Sequence, residues 1–390
     1  MADMLTDYYY ETADRLQRRA ELVAGGPPDS NNVLFRGKGV HASGNGGSYD
    51  RLTLTPGKKH LLRLINTSVD NSFTVSLVGH SFTVVHTDLV AVQPIVKNQL
   101  FLGVGQRYDV IIEANQQVDN YWFNVTMEAN NFCGRSNNKF PAAIFHYDGA
   151  SNGLPTNKGS PITAKCDGET GFVPIVPRTL TASDFQVNKE FRVDLEQPNF
   201  DFRGQVFRWE INDIDIDIEW DHPILERIHE KNTTWPSKNN IFEINQANVW
   251  TFWVLNNNFL LPHPIHLHGH DFLVLGLGSD GPFKPAQHMS KLNFNNPTRR
   301  DVAQMPGSGW MVIAFHTDNP GAWLLHCHIG WHVSQGLGMQ FLERKDEIPR
   351  LMHLDQMVPN CKAWREYAPR NPYLPKLDSG LKRTRKRWTH

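Results

Sequence analysis

Short runs of alternating apolar and polar residues, rich in β-branched and aromatic side chains, recur along the chain. Turns such as Pro56-Gly57 and Val78-Gly79 separate them. Such runs predict strands. In the first half they cover residues 51–54, 60–66, 72–77, 82–86, 108–113 and 121–127. In the second they cover 207–211, 241–244, 249–255, 272–275, 309–315, 322–326 and 338–342. One helix is predicted, over residues 8–23, closed by Gly25-Gly26-Pro27-Pro28. Residues 149–178, rich in Gly, Pro, Thr and Asn with a poor apolar pattern, read as a linker between two β units. The pattern predicts an all-β chain of tandem sandwiches or barrels: a first unit over 1–150, the linker over 151–178, and a second unit over 179–360. A tail over 361–390 is Pro-rich and then basic. No repeat of fixed period is visible.

At about 150 residues per domain, 390 residues allow two or three domains. A formal charge of −1 excludes a general binder of nucleic acid or of membrane surfaces, which needs a positive face. No run approaches the length and apolarity of a membrane span. Residues 1–20 carry charge throughout and lack the apolar core of a signal peptide. Three glycosylation sequons begin at Asn66, Asn124 and Asn232. Three other patterns carry nothing. The stretch Gly276–Gly281 fits GxGxxG, but Pro282 and a loop follow where a helix is required. Asp213, Asp215 and Asp217 resemble a calcium loop, yet Ile218 stands where a Gly belongs, so the alternation reads as a half-buried strand. The basic run 382–387 reads as a solvated tail.

Eighteen His are present, and they cluster. One segment is His263-Pro264-Ile265-His266-Leu267-His268-Gly269-His270; the other is His326-Cys327-His328-Ile329-Gly330-Trp331-His332. On a strand, His266 and His268 share a face and His263 falls on the other. His326 and His328 share a face and Cys327 points away. Two centres follow: Cys327 with His263 and His332, and an all-imidazole set of His266, His268, His326 and His328. Two imidazoles and one thiolate describe a blue-copper electron-transfer site. Leu337, ten residues past Cys327, cannot serve as an axial ligand, which favours a high potential. Structural zinc sites use pairs of closely spaced Cys, and only one Cys is here. Ten others, His41, His60, His80, His86, His146, His222, His229, His288, His316 and His353, read as hydrogen-bonded ordinary residues.

The segments LPHPIHLHGHDFLVLG, DNPGAWLLHCHIGWHVSQGLGMQFLE, LTPGKKHLLRLINTS and VGQRYDV resemble the multicopper oxidases, most closely the ascomycete fungal laccases. The likeness runs from Asp7-Tyr8-Tyr9-Tyr10 to Asp378-Ser379-Gly380-Leu381. It implies cupredoxin-like Greek-key β domains equivalent to the family's second and third. It also implies up to four coppers in the whole enzyme: type-1 copper on His263, Cys327 and His332, type-2 on His266, and a type-3 pair served by His268, His326 and His328. Phenolic small molecules, lignin phenols among them, would give up single electrons beside an exposed His332, and dioxygen would be reduced to water. Asp70 would accept the phenol proton, within walls formed by Phe207, Trp209, Phe259 and Leu261. Cys133 and Cys166 match a family disulfide; Cys361 matches a Cys that bonds to the family's first domain. Asp378-Ser379-Gly380-Leu381 resembles a processing site. The family is secreted. The first domain's two His-x-His motifs have no counterpart in this sequence, and the opening strand of the first unit is also expected to be absent. The trinuclear cluster would then need that domain or a partner chain. The alternative reading is a copper-binding electron-transfer protein without oxidase activity.

Overall fold

In the computed structural model of the chain, residues 2–21, 26–130, 132–166, 168, 170–196, 207–219 and 222–367 are described. The first half holds β1 (Ala2–Tyr8), β2 (Asn32–Phe35), β3 (Arg51–Leu54), β4 (Lys59–Asn66), β5 (Phe73–Leu77), β6 (Phe82–Thr87), β7 (Val90–Lys97), β8 (Leu100–Leu102), β9 (Arg107–Glu113), β10 (Asn120–Thr126) and β11 (Ala142–Tyr147). The second holds β12 (Val187–Glu196), β13 (Arg208–Ile211), β14 (Ile241–Ile244), β15 (Trp250–Asn257), β16 (His263–Leu267), β17 (Phe272–Gly278), β18 (Arg299–Arg300), β19 (Val302–Met305), β20 (Gly309–His316), β21 (Gly321–Cys327) and β22 (Gly338–Glu343).

Each half forms one six-stranded and one five-stranded sheet, and the strand orders repeat. Order β2-β1-β4-β9-β6-β7 becomes β13-β12-β15-β20-β17-β18, and β3-β11-β10-β5-β8 becomes β14-β22-β21-β16-β19. The repeat is one of topology and carries no fixed sequence period. β1 runs parallel to β4 and antiparallel to β2, as β12 does to β15 and β13. β1 thus takes the place in the first half that β12 takes in the second. Its alternation puts Asp3, Leu5 and Asp7 inward. The helix begins later than expected, at Ala13–Glu21, because Tyr8 closes β1. The Asp-Ile alternation is not a strand: after β13 the chain turns through left-handed Asn212 and Asp213, and only Ile216 is fully buried.

The first core gathers Leu5, Leu64, Phe73, Phe82, Val110 and Phe123; the second gathers Phe191, Trp253, Ile313, Leu325 and Phe341, with Cys327 and Leu337 among them. A buried charge network crosses from one half to the other. The Asp88 carboxylate accepts from Arg300 Nε at 3.0 Å, the Arg300 guanidinium at 3.1 Å and the Arg107 amide at 2.9 Å. Arg107 also makes a fork of 2.6 and 2.8 Å onto Asp301. Burial works against the Asp88 charge, but the Arg300 guanidinium holds its carboxyl below the usual range.

Cys133 and Cys166 are bonded, and Cys361 is free and buried. The bridge closes a separation of 33 residues. Replacing both Cys with Ala is expected to lower unfolding free energy by about 3–4 kcal/mol, read by denaturant titration. Asn66 is a correction. Its side chain is 1% exposed and its amide donates to the Asn71 and Leu102 carbonyls, so no glycan fits there. Asn124 and Asn232 are half-buried. The tail from residue 368, with its processing-like segment, lies outside the described residues.

Candidate metal centre

Strand pairing builds the site. β16 and β21 are antiparallel neighbours, with Ile265 opposite Cys327 and His266 opposite His326. Odd-numbered positions of both strands face the core and even-numbered ones face away. His263 is fully buried, and Cys327 likewise. One turn of helix, Gly330–Ser334, brings His332 back to the same point. The three donor atoms converge: His263 Nδ1 and His332 Nδ1 are 3.1 Å apart, and Cys327 Sγ lies 3.7 and 3.6 Å from them. Three atoms bound at about 2.0–2.3 Å to one ion in a plane would lie about 3.4–3.8 Å apart; the two sulfur distances fall in that range and the nitrogen pair is a few tenths of an ångström closer. The donor set therefore fits a metal ion. Burial lowers His263 to about 3 and takes His332 well below the ordinary imidazole value, so both rings are neutral. Burial pushes the Cys327 thiol up, against the Ile329 amide, which hydrogen-bonds the sulfur. A cation bound between the three would reverse that by favouring the thiolate.

The second set lies on the other face of the same strands. His268 Nε2 and His326 Nε2 are 3.1 Å apart, and His266 centres 4.9 Å from His268, 5.5 Å from His326 and 5.6 Å from His328. His266 Nδ1 donates to the Asp301 carbonyl and His326 Nδ1 to the Cys327 carbonyl, both at 2.7 Å. Those bonds leave each Nε2 bare, the tautomer a ligand needs. Burial lowers His326 to about 3 and lowers His268 and His328 as well. His268 is exposed and the other three are half-buried. His270 is not among them: its ring pairs with Glu343 at 3.0 Å.

Nearly the whole chain resembles known enzymes. Profiles described as multicopper oxidase match residues 1–150 and 195–347. The chain is 48% identical to a laccase of Neurospora crassa over 97% of its own length and 62% of that protein's. It is 46% identical to laccase-1 of Melanocarpus albomyces over 98% and 63%. The crystal structure of a laccase from Botrytis aclada superposes with a TM-score of 0.86 at 33% identity, covering 97% of this chain and 70% of that one. The chain belongs to the multicopper oxidase family. That is an oxidoreductase family, and the cupredoxin-like all-β fold the resemblance implied is the one observed. The chain spans 62–63% of the length of those two curated relatives. Among the described residues, no helix is long and apolar enough to cross a membrane.

Within this multicopper oxidase chain, Trp209 lies against both imidazoles of the Cys327 set, 4.8 Å from His263 and 4.4 Å from His332. Phe259 meets Trp209 edge-on at 5.5 Å. Leu261 packs on the same core, and Phe207 is half-buried with its amide bonded to the Glu21 carbonyl. His332 is 4% exposed, which corrects the expected exposed ligand; Trp209 covers it. Leu337 is fully buried and its carbonyl accepts the Cys327 amide, so it packs beside the site without a donor atom. Asp70 is half-buried on the loop after β4, and the Val69 carbonyl before it accepts the Gly330 amide at 2.7 Å, next to the His332 turn.

Sequence reasoning missed three contributors. Gly105, at φ +84°, lies beneath His328, and a Cβ there would approach the ring to 2.5 Å. Asp301 holds His266 through its carbonyl. Asp7 holds the Asp70 loop. VGQRYDV contains the first, but its packing partner cannot be read from spacing. His222, classed with ordinary histidines, comes near Glu226 and Glu230. Glu226 is forked onto Arg365 at 2.7 and 3.0 Å, and His222 pairs with Glu230.

Proposed function

We propose that this chain carries the phenol-oxidising site of a secreted laccase-type oxidase and half of its dioxygen site. Copper bound at the two sets would supply one-electron chemistry, taking single electrons from phenols at the first and, in the whole enzyme, delivering them at the second to dioxygen, which needs four electrons and four protons to become two waters. One observation carries the reading. Cys327 faces the buried triad, while its covalent neighbours His326 and His328 face the other set, so one tripeptide touches both.

The remaining roles belong to side chains. His263, Cys327 and His332 would hold the first metal; His266, His268, His326 and His328 would hold part of the second group. Trp209 over the two imidazoles and Leu337 in the core beside Cys327 would keep water out, which lowers the local dielectric and favours the reduced metal, hence a high potential. Phe207, Trp209, Phe259 and Leu261 offer the apolar and aromatic surface a phenol ring packs on. A phenol that loses an electron must also lose its proton, and Asp70 is the acceptor. Burial, with the Asp7 charge behind it, pushes the Asp70 carboxyl up to about 7. It is therefore ready to accept only as pH approaches neutrality.

The test separates proton from electron. In the copper-loaded chain, Asp70→Asn is expected to slow bleaching of the blue colour by a phenol by about ten-fold or more near pH 7. Bleaching by ferrocyanide, which carries no proton, stays as in the parent. Equal slowing of both donors, or of neither, would remove Asp70 from this role.

A further inference from the structure

We propose that Asp7 is a positioning residue for the donor side of the His332 site. Its carboxylate gathers the amides of three consecutive residues and fixes the turn that presents Asp70. The inference rests on the reading of Asp70 as proton acceptor.

Asp7 sits on β1 at an inward position, 5% exposed, in register with Leu5. A buried carboxylate needs several donors to stay charged. It finds them in one turn: Oδ1 accepts from the Val69 amide at 2.9 Å, and Oδ2 accepts from the Asp70 amide at 2.8 Å and the Asn71 amide at 3.1 Å. The Asp7 amide in turn donates to Ser68 Oγ at 3.0 Å. Tyr9 Oη donates to Oδ2 at 3.3 Å. The ring of Tyr9 meets Trp331, the residue before His332, edge-on at 5.9 Å. The far side of the turn is fastened to the metal-bearing half, where the Gly330 amide meets the Val69 carbonyl and the Val69 side chain packs against Gly330. The turn is thus clamped between β1 and the His332 helix, with Asp70 at its centre.

The clamp also sets the charge around Asp70. The groups acting on it are Asp7 and Asp29, which oppose its ionisation, and Arg135, which favours it; Tyr9 is held neutral by burial and the two carboxylates. Burial also raises Asp7, and its three amide donors work against that. Asp7 therefore does two separable things. Its oxygens place Asp70, and its charge keeps the Asp70 proton on to higher pH. Asp7→Asn retains an acceptor oxygen and removes the charge; Asp7→Ala removes both.

The experiment uses the full chain with ¹³C-labelled aspartate, and the Asp70 signal is assigned by its loss in Asp70→Asn. In Asp7→Asn the proton affinity of Asp70 is expected to fall by about three-fold or more, because a like charge has gone. In Asp7→Ala the amides of residues 69–71 are expected to exchange about ten-fold faster or more, with those of β9 unchanged. An unchanged Asp70 titration in Asp7→Asn, or unchanged exchange in a folded Asp7→Ala, would overturn the proposal. Where Asp7→Ala does not fold, the near-isosteric Asn variant decides. Neither readout involves phenol oxidation, so failure of the Asp70 role in the bleaching test leaves the clamp standing or falling by itself.

Discussion

A Cys327→Ser chain should fold, and should stay colourless when copper is added. The visible band of a blue site arises from charge transfer between a thiolate and the metal, and a hydroxyl cannot supply it. Folding should survive because Ser is nearly isosteric and the hydrogen bond from the Cys327 backbone N–H to the Leu337 carbonyl does not involve the side chain. The hydroxyl also finds a partner: two imidazole nitrogens stand 3.6 and 3.7 Å from the sulfur it replaces. Loss of all visible colour against an unchanged thermal transition is sufficient to read the result. A variant that remained blue would remove Cys327 from the metal site.

The polypeptide Met1–His390, expressed alone and given excess copper, is expected to keep close to one tight copper and to show no sustained phenol-dependent oxygen uptake. By resemblance, the family's three-copper cluster uses eight imidazoles; the matching motifs here supply His266, His268, His326 and His328. With His268 exposed and the other three half-buried, ions at this set would be under-ligated and weakly held. The Cys327 set has all three donors within 3.7 Å and is closed by Trp209. Metal analysis after dialysis and an oxygen electrode check both halves. Four retained coppers with continuing oxygen consumption would show that the four imidazoles need no others.

Much of the fold was legible because strands such as β4 and β9 alternate between inward and outward positions, and β20 is a short continuous apolar run. β1 was not, since its inward Asp3 and Asp7 break the apolar alternation and the Tyr run beyond it suits a helix equally well. β16 was legible only through its histidine spacing, since its Pro and His give it no β-branched or aromatic run. The two side-chain clusters could be read, because period-two geometry acts on side chains and His is scarce elsewhere in those strands. What could not be read acts through the backbone. The Asp301 carbonyl, the bare Cα of Gly105 and the amides of residues 69–71 carry no residue signature. Asn66 shows the opposite failure, a recognisable sequon whose amide is consumed by two carbonyls.

The charge network between the halves has a consequence for unfolding. Asp88 and Arg107 come from one sandwich, and Arg300 and Asp301 from the other. Unfolding either sandwich takes away the partner of a buried charge on the other, and losing one member of such a pair typically costs about 3–5 kcal/mol. Neither half can then melt and leave the other as it was. Calorimetry should record a single cooperative transition, and a chimera that takes its two sandwiches from different relatives should keep its copper site only if all four charges are carried across together.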